Sequence, residues 1–207
     1  MKTRSQLEPQ IDQGGLVRTA AFRLLLAKRG PIGEEALATE TGINPDRLNE
    51  LLQELDQAGW IQRDDARRVV GSAGLSIVPD RHEIEIGGHR FWTWCAYDIL
   101  GIFGALSAGG RAFSPSPPNG QIIELKFVRG RPEQNDAVLF RPDADLKSCC
   151  ENVYEDWCPN SNLFGSPELA ETWAKVIGIK GRILNLDEAS DLAAEEWRPL
   201  TNQGAIL

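Results

Sequence analysis

The stretch that decides the fold is HEIEIGGHRFWTW, residues 82–94, in which apolar and polar residues alternate on both sides of Gly87-Gly88. Such alternation places every second side chain on one face of a β-strand. Two glycines between alternating runs are typical of a tight hairpin turn. The stretch therefore predicts two antiparallel strands with one buried face, and GLSIVP (74–79) and QIIELKFV (121–128) predict further strands of the same kind.

Upstream of these strands the chain reads as three helices and a hairpin. The helices are predicted at 16–28, 34–41 and 44–59, and a strand–turn–strand wing is predicted at 60–70. The third helix opens with an Asn-Pro cap. It carries leucines at i, i+3, i+4 and i+7 spacing that must face a core: Leu48, Leu51, Leu52 and Leu55. The pattern is typical of a winged helix.

Downstream of the strands, helical and extended patterns alternate. CAYDILGIFGAL (95–106) has helical apolar spacing, FSPSPPNG (113–120) predicts a proline-rich loop, and a capped helix opens at Ser166-Pro167. The fold class is therefore α+β, a three-helix winged-helix-like unit packed on a mainly antiparallel sheet with helices. We expect a flexible leader at 1–15, a winged-helix-like domain at 16–73 and a catalytic domain at 74–207.

Charge and hydropathy disfavour membrane and nucleic-acid partners. No apolar run approaches the roughly 18 residues that a membrane span needs, and the first fifteen residues lack the apolar core of a secretory signal. We therefore expect a cytoplasmic protein. The net charge is −8, and the third helix region, 44–59, holds four acids and one base. DNA-binding helices normally neutralise phosphates, so DNA binding is not expected.

Four cysteines are the main chemical feature: Cys95, Cys149, Cys150 and Cys158. A cytosolic chain of this length does not need disulfides, and no CxxC is present, so free thiols are expected. Thiolates select soft metals such as mercury, copper(I) and zinc. An all-cysteine zinc site would need four tetrahedral ligands, which two adjacent cysteines rarely supply without strain.

Cys95 and Asp98 are three residues apart at a predicted helix start, a spacing that places both side chains on one face. A thiol and a carboxyl that close can share a proton or a ligand. Alternatively, the cysteine fills the core and the carboxylate caps the helix or lies on the surface. His82 and His89 flank the predicted hairpin and are expected at exposed strand positions. The common hydrolase and nucleotide-binding motifs are absent from the sequence.

At these residues the sequence resembles a known family. RFWTWCAYDIL (90–100) resembles the catalytic segment of the organomercurial (alkylmercury) lyases, and SCC with the later SPELAETWA resembles that family's second active-site segment. The resemblance implies that Cys95 and Cys149 are catalytic, mercury-binding thiolates and that Asp98 is the proton donor beside the metal. Cys150 and Cys158 are possible further mercury contacts. Many members have a cysteine where this chain has Pro117.

The resemblance implies protonolysis of a carbon–mercury bond, which gives a hydrocarbon and Hg(II). It implies no cofactor, a need for external thiols such as glutathione, and handover of Hg(II) to a mercuric reductase. The expected partner is a small organomercury substrate, with no nucleic acid and no membrane, and the expected state is a monomer. Two alternatives stay open: a soft-metal-responsive winged-helix regulator, and a lyase or binder for another organometal such as organotin.

Overall fold

The computed structural model describes residues 12–144 and 150–200. Its helices are α1 Gln13–Lys28, α2 Glu34–Thr41, α3 Pro45–Gln57, α4 Ala96–Leu106, α5 Pro167–Ile177 and α6 Leu186–Trp197. Its strands are β1 Ile61–Arg63, β2 Val69–Ser72, β3 Leu75–Ser76, β4 His82–Ile86, β5 His89–Thr93, β6 Gly110–Ser116, β7 Gln121–Val128, β8 Arg131–Pro132, β9 Val138–Pro142, β10 Asn162–Phe164 and β11 Gly181–Asn185. A π-helical turn at Val153–Trp157 and short 3₁₀ helices at Cys158–Asn160 and Arg198–Leu200 complete the described elements.

The strands form two antiparallel sheets, which confirms the α+β prediction. The larger sheet has the order β1-β2-β3-β5-β4-β6-β7-β8, and the smaller has the order β10-β9-β11. The predicted hairpin is β4–β5, in which Ile86 pairs with His89. Gly87 and Gly88 have φ of 58° and 76°, the left-handed pair that a two-residue turn between twisted strands requires.

The three N-terminal helices share their core with the sheet. Leu48, Leu51 and Leu52 are buried as predicted, and Leu55 is partly buried, in one apolar cluster that continues into α4. The larger sheet also runs across the predicted domain boundary, since β2 pairs with β3. The division at residue 73 stays a prediction.

The start of α1 differs from the sequence prediction. The helix begins at Gln13 rather than at Leu16, because the Asp12 carboxylate accepts a hydrogen bond from the Gly15 amide at 2.9 Å and caps it. Residues 1–11 of the predicted leader lie outside the described residues. Within the described parts of the chain, no helix has the length and hydropathy of a membrane span.

The exposed face of α3 is acidic. Arg47 is the one basic residue of this helix, and its guanidinium pairs with Glu50 at 2.8 Å and with Glu54 at 3.5 Å. These pairs are exposed, and the cation is already shared between two carboxylates. The helix therefore offers no free positive charge to a phosphate backbone, in line with the expectation from its sequence.

The predicted proline-rich loop is partly a strand, so that prediction was wrong for its first half. β6 extends to Ser116, with Pro115 opposite Ile122 of β7. Pro115 lies beyond Phe113, the last residue of β6 that pairs with β4. Proline is tolerated there because the strand has no ladder partner on that side.

Close packing against α6 fixes α4 in place. A Cβ at Gly101 would overlap the Trp197 ring, and one at Gly104 would lie 2.7 Å from the Ala194 Cβ, so both glycines allow the two helices to approach. The Trp197 indole also donates a hydrogen bond to the Ala73 carbonyl at 3.0 Å. Trp197 thereby contacts both α4 and the turn between β2 and β3.

Candidate active site

Cys95 and Asp98 form a capping box at the start of α4. Cys95 is the extended N-cap residue, with φ −144° and ψ 170°, and the Asp98 amide points back to its sulfur. In return, the Asp98 carboxylate accepts a hydrogen bond from the Cys95 amide at 2.8 Å. The predicted proximity of this pair is therefore a consequence of N-cap and N3 geometry.

Cys158 comes to the same point from a distant part of the chain. It follows the π-helical turn Val153–Trp157, and the Ala96 amide of α4 donates to the Ser161 carbonyl just beyond it at 3.1 Å. The ligand atoms of Cys95, Asp98 and Cys158 all lie within 4.8 Å of one another, and all three residues are buried. Both cysteines are free thiols.

This geometry suits a soft, two-coordinate metal. Two thiolates about 2.4 Å from one mercury atom in a near-linear array would be about 4–5 Å apart, by extension from other metal–thiolate distances. The two sulfurs lie no more than 4.8 Å apart, which is compatible with that separation. A carboxyl oxygen within 4.8 Å of both sulfurs can exchange a proton with either of them.

The two remaining predicted mercury contacts are Cys149 and Cys150. Cys149 lies outside the described residues, so its assignment stays a prediction. Cys150 is disulfide-bonded, which corrects the expectation that all four cysteines are free thiols. It is not among the three residues whose ligand atoms converge.

Cys158 was expected only as a possible contact, although the sequence contains a signal for it. The dipeptide Trp-Cys occurs twice, at 94–95 and at 157–158, and each cysteine comes directly after an aromatic residue of the core. The resemblance drew attention instead to the adjacent pair at 149–150.

Burial controls the electrostatics of the Asp98 carboxyl. Desolvation raises its pKa to about 7, although hydrogen bonds with Cys95 and the charge of Arg81 act in the opposite direction. A carboxyl with this pKa exists in both protonation states near neutral pH, as a proton carrier requires.

Both thiols are harder to ionise than an ordinary cysteine. Burial raises the pKa of Cys95 well above its ordinary value, and a hydrogen bond with Cys158 adds to the rise. For Cys158, the hydrogen bond with Cys95 lowers the pKa, but burial and the Asp98 charge raise it, and the net shift is upward. The buried site therefore favours the neutral thiols until a metal binds them.

The cluster lies in the wall of a cavity of about 870 Å³. Cys158 and Asp98 face this cavity, whose aromatic lining consists of Trp60, Trp94, Trp157 and Trp197. Its volume falls within the range of small-molecule pockets, about 300–1,000 Å³. The site thus combines soft ligands with room for an apolar organic group.

The histidines do not belong to the site. His82 is buried, contrary to the expectation of exposure, and its Nδ1 lies 2.9 Å from the Ser114 hydroxyl. Burial lowers its pKa to about 3, so the ring is neutral and accommodated within the sheet. His89 is exposed as expected.

Comparison with known proteins shows which family this chain resembles. A family model described as alkylmercury lyase matches residues 75–197. The alkylmercury lyase of Staphylococcus epidermidis is 33% identical over 178 residues, which cover 82% of this chain and 78% of the relative. That of Bacillus cereus is 30% identical over 214 aligned positions, which cover 95% and 92%. Among solved structures, one described as the mercury-bound form of MerB2 matches with a TM-score of 0.80 and 25% identity over 92% of each chain.

Proposed function

The chain belongs to the alkylmercury lyase family, and we propose that Cys95, Asp98 and Cys158 carry out its reaction. The reaction is protonolysis of a carbon–mercury bond, which gives a hydrocarbon and Hg(II). The observation that carries the residue assignment is the buried cluster in which two free thiols and one carboxyl have ligand atoms within 4.8 Å of one another.

The first step is capture of the organomercury cation by Cys158. Its sulfur faces the cavity, attacks mercury and displaces the small thiolate with which the substrate enters, and that thiolate leaves with the Cys158 proton. Soft thiolate sulfur is the preferred ligand for a soft metal. The organic group then occupies the cavity, against its tryptophan rings.

The second step delivers the proton. Asp98 accepts the Cys95 proton as the Cys95 sulfur binds mercury, and this second thiolate increases the electron density on the carbon. Asp98 then donates the same proton to the carbon. The electron pair of the carbon–mercury bond becomes the new carbon–hydrogen bond, and Hg(II) remains between two thiolates. No redox change occurs, and atoms and charge balance, since each organomercury thiolate consumes two protein thiols and releases one hydrocarbon and one small thiol.

Release and location follow from the same chemistry. A bis-thiolate Hg(II) complex dissociates slowly, so turnover needs an external thiol such as glutathione or handover to a mercuric reductase. The reaction uses Cys95 and Cys158 as thiols, and a reducing compartment such as the cytoplasm keeps thiols in that state. We expect the enzyme to act as a monomer, because the three reacting groups come from a single chain.

The experiment that tests this assignment compares three serine variants. With phenylmercury and excess small thiol, the wild type should release benzene, measured by headspace chromatography. Cys95→Ser and Cys158→Ser should lose turnover, because a hydroxyl is a hard and poorly ionised ligand. Cys149→Ser is the discriminating comparison and should retain turnover. An inactive Cys149→Ser beside an active Cys158→Ser would reverse the assignment of the second thiol.

A further inference from the structure

The guanidinium of Arg81 connects the two segments that carry the site thiols. Its Nη1 donates a hydrogen bond to the Trp94 carbonyl at 3.0 Å, and its Nη2 donates to the Tyr154 carbonyl at 3.2 Å. Trp94 directly precedes Cys95. Tyr154 belongs to the π-helical turn that directly precedes Cys158.

The Arg81 side chain is itself held in position. Its guanidinium lies over the Tyr154 ring, 4.2 Å from the centroid. The Tyr154 hydroxyl donates to the Asp80 carboxylate at 3.2 Å, and that carboxylate is 3.8 Å from Nη1 of Arg81. The Tyr154 ring also meets the Trp94 ring edge-on at 5.6 Å. The Asp80 carboxylate and the Tyr154 ring thus orient the Arg81 guanidinium toward the two carbonyls that it binds.

A second connection between the thiol segments lies on the other side of Cys158. The Ala96 amide donates to the Ser161 carbonyl at 3.1 Å. Cys158 is therefore held from both directions, by Arg81 through Tyr154 before it and by α4 through Ser161 after it. A π-helical turn is an uncommon element that is frequent at functional sites, and the Tyr154 carbonyl that Arg81 binds belongs to this turn.

We infer that Arg81 is a positioning residue for this reaction, one that holds Cys95 and Cys158 at the separation at which both thiols bind a single mercury atom. This inference rests on the proposed pairing of Cys95 with Cys158. Arginine suits the role because its rigid, planar fork donates in two fixed directions while it stacks on a ring, whereas lysine carries a single ammonium on a flexible stem.

The consequence of losing Arg81 differs from that of losing a thiol. Either cysteine can still capture an organomercury cation alone. The second thiolate would reach mercury less often, so kcat should fall while KM changes little. The Hg(II) product would also lose its chelate, because the second bond depends on the local concentration of the other sulfur.

The experiment uses Arg81→Met, Arg81→Lys and the matched control Arg63→Met. Arg63 is also a partly buried arginine paired with a carboxylate, that of Asp56 at 2.9 Å, and this pair connects β1 to α3. Each full-length variant is assayed with phenylmercury below its unfolding midpoint. Retention of stoichiometric Hg(II) is then measured against increasing concentrations of a small competing monothiol.

We expect kcat of Arg81→Met to fall at least about tenfold at similar KM, and Hg(II) to be displaced at lower monothiol concentration, whereas Arg63→Met resembles the wild type in both assays. Arg81→Lys should resemble Arg81→Met. Full rescue by lysine would show that charge alone is needed and would overturn the positioning role. Wild-type kcat and Hg(II) retention in Arg81→Met would also overturn it. Failure of the proposed pairing would instead appear as activity in Cys158→Ser.

Discussion

Replacing Asp98 with asparagine should stabilise the protein and inactivate it at the same time. Asparagine is nearly isosteric with aspartate, and its amide oxygen can still accept the hydrogen bond from the Cys95 amide that closes the capping box. What it removes is the ionisable group, whose charge the buried site destabilises. The variant therefore separates the electrostatics of the carboxyl from its structural role.

The magnitude follows from the pKa of Asp98, which burial raises from 3.8 to about 7. Below about pH 4 the carboxyl is protonated in both the folded and the unfolded chain, and its contribution to stability is fully present. As pH rises from about 4 through about 7, the Asp98 carboxyl is ionised in the unfolded chain but still protonated in the folded chain, so this stability is progressively lost. With about 1.4 kcal/mol for each unit of pKa, the loss reaches about 4 kcal/mol above pH 7.

The assay is urea denaturation of the wild type and Asp98→Asn with a phosphine reductant that keeps the thiols reduced. The variant should be more stable by about 1.5 kcal/mol near pH 5 and by about 4 kcal/mol near pH 8. Benzene release from phenylmercury should fall about 10²–10⁴-fold, the usual contribution of a general acid. A stability difference that does not change with pH would refute the buried, late-titrating carboxyl. Wild-type turnover in the variant would refute its role as proton donor.

Two further predictions concern the surroundings of the site. Gly74→Ala should lower turnover as well as stability, because Gly74 has a φ of 86° and a Cβ there would overlap the Asp98 carboxyl. The control is Gly87→Ala, at φ 58° with open space around it. This control should lose about 1–2 kcal/mol of stability from backbone strain alone and leave benzene release unchanged. Leu52→Ala should lower the free energy of unfolding by about 2–5 kcal/mol in one cooperative transition, because this fully buried side chain belongs to the apolar cluster that contains α4. Calorimetry that resolves a separate N-terminal transition would contradict a shared core.

The local parts of the fold could be predicted from the sequence because their signals are local. The bounds of α2 match the prediction because a left-handed Gly42 ends the helix. Asn44 caps α3 as its sequence indicates, with its side chain accepting from the Asp46 amide. Cys95 and Asp98 belong to the same class, since a spacing of three residues at a helix start determines their contact without help from the rest of the chain.

The remaining parts of the site depend on contacts between distant segments. Cys158 reaches Cys95 through contacts such as that of the Ala96 amide with the Ser161 carbonyl, and the periodicity of neither segment indicates that pairing. Arg81 was not predicted from the sequence, because the two hydrogen bonds that connect it to the thiol segments go to main-chain carbonyls, which every residue carries. Gly74 matters through a clash that would occur only once Asp98 lies beside it.

The position of the N-terminal unit bears on the two readings of this protein. A regulator would present its third helix to DNA, but α3 buries its leucine stripe and shares its one base between two carboxylates. The same unit supplies part of the cavity wall, where Leu16, Arg18 and Trp60 face the space that Cys158 and Asp98 also line. Burial is what raises the pKa of Asp98, and the N-terminal unit forms part of the wall of the cavity that this carboxyl lines. In the proposed reaction, the N-terminal helices therefore contribute to the surroundings of the proton donor.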